Sequence, residues 1–93
     1  MTTKPQAEIL ASRALDWLCQ DAARLGAFMG ATGIGPATLR HSAGEPEVLL
    51  AVLDFLMADE AQLLACCTDL DLPPEAPAAA RSALPGGEQW HWT

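Results

Sequence analysis

The chain aligns with itself at an offset of 38 residues, and no other feature constrains its fold as strongly. With Ala14 to Pro36 laid over Val52 to Pro74, the register holds without a gap and eight of the 23 pairs are identical. Leu15, Asp16, Leu18 and Asp21 meet Leu53, Asp54, Leu56 and Asp59, and Trp17 meets Phe55. A period of this length marks a supersecondary unit used twice, each copy too small to bury its apolar face alone. The two copies must therefore pack on each other. The expectation is an all-α domain of two tandem helical repeats with five to six helices. Residues 1–87 form the domain, about 7–44 and 45–84 the repeats, and 88–93 a C-terminal tail.

Proline and glycine punctuate the helices, and no stretch alternates apolar and polar residues as a half-buried strand would. A first helix is expected from about residue 6 to Cys19, with Leu10, Ala14, Trp17 and Leu18 on one face. Asp21 stands where an N-cap is needed before a helix that buries Leu25, Phe28 and Met29. Gly33-Ile34-Gly35-Pro36 stops that helix and opens a short one. In the second copy, Glu47 to Ala58 is apolar on nearly every side, which puts it in the centre of the fold. Asp59 with Gln62 resembles a capping box for the following helix. Pro73-Pro74 opens a final alanine-rich helix that ends at Pro85-Gly86-Gly87.

At 93 residues the chain has room for one core. It holds no apolar run of the roughly 18 residues that a membrane helix needs, and its first residues lack signal-peptide order. Cytoplasmic residence is the expectation. The net charge of −7 is uneven: residues 1–44 sum to +1 and residues 45–93 to −8. The acidic half is either ordinary solubilising charge on an apolar small domain or a surface that repels nucleic acid and anionic lipid and favours a basic partner.

No residue set announces chemistry. Cys66 and Cys67 occupy the positions of Phe28 and Met29, a core face, and vicinal cysteines lack zinc-ligand spacing. No metal, cofactor or catalytic residue is assigned, and the chain reads as a non-enzyme. Asp16 and Asp54 are more pointed, because both fall in a last helical turn, where the macrodipole disfavours a carboxylate. A structural role is expected for each, accepting from an adjacent helix start or pairing with an arginine such as Arg13 or Arg40. A shared acid–base site is the functional alternative. The segment Phe28 to Arg40 resembles the turn and recognition helix of a helix-turn-helix reader, with Arg24, Arg40 and His41 able to approach phosphates. Five basic side chains in the whole chain are few for duplex binding, so nucleic acid is a weak second choice.

Leu15-Asp16-Trp17-Leu18, the Thr32 to Pro36 turn, Leu39-Arg40 and, above all, Val52-Leu53-Asp54-Phe55-Leu56-Met57-Ala58-Asp59-Glu60 resemble a small bacterial family, the domain of unknown function DUF3572. The resemblance runs from about Ala7 to Leu84. It implies a short, cytoplasmic, helical, stand-alone protein without assigned activity or cofactor. It also implies genes near cell-cycle response regulators, and so a signalling setting. Cys66-Cys67 and the Trp90-His91-Trp92 tail depart from the family pattern.

Trp90 and Trp92 either fold back over the alanine-rich last helix or anchor a partner. Together these readings predict a protein–protein interaction or regulatory adaptor module with an unidentified protein partner. Homodimer formation is a further way to complete apolar burial. The alternative is a nucleic-acid-binding regulator that uses the Ile34 to Arg40 segment.

Overall fold

The computed structural model describes residues 2–87. Its regular elements are α1 (Lys4–Cys19), α2 (Ala22–Thr32), α3 (Pro36–Ser42), α4 (Pro46–Met57), α5 (Glu60–Leu70) and α6 (Ala76–Ala83). The protein is all-α, and no strand occurs among the described residues. Local chemistry explains the boundaries. Thr3 starts α1 earlier than the apolar pattern predicts: its Oγ1 accepts from the Gln6 amide while the Gln6 Oε1 accepts from the Thr3 amide. This closed capping box, with Pro5 in the first turn, supplies partners for amides that helix geometry leaves unpaired. Asp21 caps α2 by accepting from the amides of Ala23 and Arg24. Asp59 caps α5 by accepting from the Gln62 amide at 3.3 Å.

Gly33 ends α2 in the left-handed conformation (φ +76°), its amide donating to the Met29 carbonyl. Asp71 ends α5 the same way at φ +57°, where a residue with a Cβ pays a steric cost. The ends Cys19 and Met57, the ends Thr32 and Leu70, the caps Asp21 and Asp59, and these two left-handed residues all lie 38 positions apart. The third helices break the register. A turn bonded from the Ala76 amide to the Pro73 carbonyl delays α6 to Ala76, two residues past the counterpart of Pro36.

Helix α4 lies at the centre and packs on α1, α2, α5 and α6. Val48, Leu49, Val52, Leu53 and Leu56 are its buried residues. One part of the core gathers Leu15, Trp17, Leu18, Phe28, Val52, Leu56 and Cys66. Phe28 and Phe55 meet edge to face there, with centroids 5.5 Å apart. The other part lies where α6 crosses α1 and α4, and it joins Ala7, Ala11, Leu49, Leu53, Ala80 and Leu84. Small alanines on both helices let their backbones approach. α3 contributes no buried residue, and its Leu39 only rests against the first cluster.

Arg81 fastens the end of α6. Its Nε donates to the Asp54 carboxylate, and its Nη1 donates to the Gly87 carbonyl at 3.0 Å. A Cβ on Gly87 would fall 1.8 Å from the Arg81 carbonyl oxygen, so only glycine fits. Among the described residues, no helix is long and apolar enough to cross a membrane.

Candidate functional site

Residues four apart share a helix face, so Arg13 and Trp17 reach the same neighbour, the end of α5. The Trp17 indole is buried and donates from Nε1 to the Asp69 carboxylate at 2.7 Å. A buried indole N–H needs such an acceptor. The Arg24 guanidinium from α2 covers the same ring, 3.8 Å from its centroid. Arg13 Nη2 donates to the Leu70 carbonyl at 3.0 Å, placing a cation at the negative end of α5. Three helices are thus pinned around one side chain. The sequence pattern marked Trp17 only as core and left Arg24 free. A buried indole did signal that an acceptor was required, yet nothing local pointed to one 52 positions away.

The face of α1 on the solvent side of Arg13 is open. Pro5, Glu8, Ile9, Ser12, Arg13 and Asp16, all from α1, form a shallow, widely open surface. Ile9 is 62% exposed, more than any other large hydrophobic among the described residues. The Asp16 carboxylate at the end of this face has no hydrogen-bond or ion-pair partner among the described residues. The expectation for each carboxylate is a helix start or an arginine such as Arg13 or Arg40; Asp54 pairs with an arginine, Arg81, and Asp16 has none among the described residues. Arg13 is committed to Leu70, Arg40 stands exposed on α3, and Asp54 takes Arg81 instead. The difference lies in cover: α6 crosses α4 and delivers an arginine, and no described helix does so for α1 at Asp16.

The sequence matches the family described as "Protein of unknown function (DUF3572)" over residues 4–87. The chain belongs to the DUF3572 family. No curated protein and no solved structure matches it.

In this DUF3572 chain the remaining candidate residues are dispersed. Arg40 and His41 are exposed in the last turn of α3, apart from the α1 face. Arg24, one of the cations that a helix-turn-helix reader would turn toward phosphates, lies over Trp17. Asp21 and Asp59 serve as caps, and Asp16 and Asp54 lie on different helices. Cys66 and Cys67 are buried. Burial first, then the neighbouring Cys67 and Asp69, push the Cys66 thiol up to about 11. Burial, then the Glu75 charge, raises Cys67; burial, then the Asp16 charge, raises Cys19. These thiols stay protonated near neutral pH, the opposite of what a nucleophile or metal ligand needs. Among the described residues no cluster of three histidine, cysteine or acidic side chains could hold a metal. Trp90 and Trp92 lie outside the described residues.

Proposed function

We propose that this DUF3572 protein is a non-enzymatic interaction module, a small adaptor or regulator in the bacterial cytoplasm, that receives a protein partner on the outer face of α1. The observation that carries the reading is Ile9, exposed on a shallow α1 face that also holds a carboxylate without a partner among the described residues, Asp16. A lone exposed isoleucine is ordinary on a protein surface. An exposed apolar centre with a polar rim is the arrangement of an interface anchor. The backing is rigid, since Arg13 and Trp17 tie the same helix to the end of α5.

Affinity capture from the native cytoplasm with wild type and Ile9→Glu tests this. The exposed site leaves folding intact, which far-UV circular dichroism checks. One stoichiometric protein held by wild type and lost by Ile9→Glu is the expected result. A partner held equally by both, or nucleic acid surviving moderate salt as the main bound species, would overturn it.

A further inference from the structure

The fold contains its own example of how a carboxylate in this position is satisfied. Asp54 lies three residues before the end of α4, and Asp16 lies three before the end of α1. On α4, Arg81 of the crossing helix bonds Asp54, and Leu50, one turn earlier, packs against the cluster that α6 completes. On α1 the matching residues, Asp16 and Ser12, lie on the open face. Charge points the same way. Glu8 and Asp16 stand on this face with no partner among the described residues, and its one cation, Arg13, is already bonded to the Leu70 carbonyl.

Resting on the reading above, we propose that the α1 face takes a basic amphipathic helix, whose arginine pairs with Asp16 as Arg81 pairs with Asp54 and whose apolar side chain covers Ile9. Ile9 and Asp16 are seven positions apart, about 10 Å along a helix. The partner's apolar and arginine side chains therefore stand about two turns apart on one face. Ridge-in-groove packing at an ordinary interhelical distance then covers this face of α1.

The probe is a synthetic alanine- and glutamine-based helix of about 16 residues, long enough to hold helical structure, with leucine and arginine seven positions apart. A control peptide carries glutamate in place of the arginine. Each is titrated into the isotope-labelled full chain while amide shifts are followed. The arginine peptide is expected to shift the Glu8, Ile9, Ser12, Arg13 and Asp16 amides. Asp16→Asn should weaken that binding roughly two- to fivefold, the range of one partly exposed ion pair, and added salt should weaken it further. If the glutamate peptide binds this face as well or better, the basic-partner inference fails while the docking reading stands. If neither peptide moves an α1 amide, both fail. If the same amides shift with protein concentration alone, the occupant is a second copy of the chain and the basic-partner inference is overturned.

Discussion

The α1–α3 half and the α4–α6 half begin from nearly the same local instructions and finish differently. Both carry a long helix, an aspartate-capped second helix and a left-handed stop. They part at the third helix. α6 sets Pro77, Ala80 and Leu84 into the structure and sends Arg81 to Asp54. α3 buries nothing and leaves Asp16 without an arginine. Equivalent caps produce equivalent helices, but long-range cover decides whether a carboxylate is used up by the fold or kept available at the surface.

The sharpest way to break this comparison is to truncate each third helix at its apolar contact. Leu84→Ala, at a fully buried site, should cost about 2–5 kcal/mol in urea unfolding. Leu39→Ala, half-buried on α3, should cost about 1 kcal/mol. Equal losses would mean that α3 carries as much of the fold as α6. Gly87→Ala comes next. Its Cβ would strike the Arg81 carbonyl, and a loss of about 1–3 kcal/mol is expected. Gly30→Ala on α2 meets open space within a helix and should instead gain about 0.5–1 kcal/mol. Melting temperatures moving in the same direction would contradict that assignment.

A smaller effect concerns the core beside Trp17. In the unfolded chain the Cys66 thiol ionises near its ordinary value of 9.0, whereas the folded protein holds the proton until about 11. Below 9 both states are protonated and Cys66 adds no pH dependence. Between those values the unfolded state has lost its proton and the native state has not. Stability therefore falls as pH rises, by at most about 1.4 kcal/mol per unit. Cys66→Ala should flatten that decline in unfolding experiments across the alkaline range. An unchanged slope would mean that the thiol is not held protonated by the fold.

What could be read from the sequence was local. The apolar run of α4 announced a central helix, and Asp21 and Asp59 stood at cap positions because short-range hydrogen bonding fixes such residues. The offset of 38 also placed Cys66 and Cys67 on a core face, where they are. The contacts that shape the candidate site were not legible. Arg81 reaches Asp54 across 27 positions and Trp17 reaches Asp69 across 52, and neither spacing carries a periodic signal. Arg13 was a reasonable partner for Asp16 by proximity along the helix. The carbonyl of Leu70 competes for it successfully because α5 ends there. Nor does any single segment encode that α3 stays at the periphery without a buried residue.

The most direct measurement is a crossed pair, Asp16→Asn and Asp54→Asn, with each variant assayed for unfolding free energy and for retention of the captured partner. Asp54→Asn should lose up to about 1 kcal/mol, as expected for a surface pair, and keep the partner. Asp16→Asn should hold or gain a few tenths of a kcal/mol, because a charge leaves the negative end of α1, yet retain less partner. Stability lost equally in both variants, with the partner retained equally by both, would contradict the claim that the fold uses one carboxylate and leaves the other for binding.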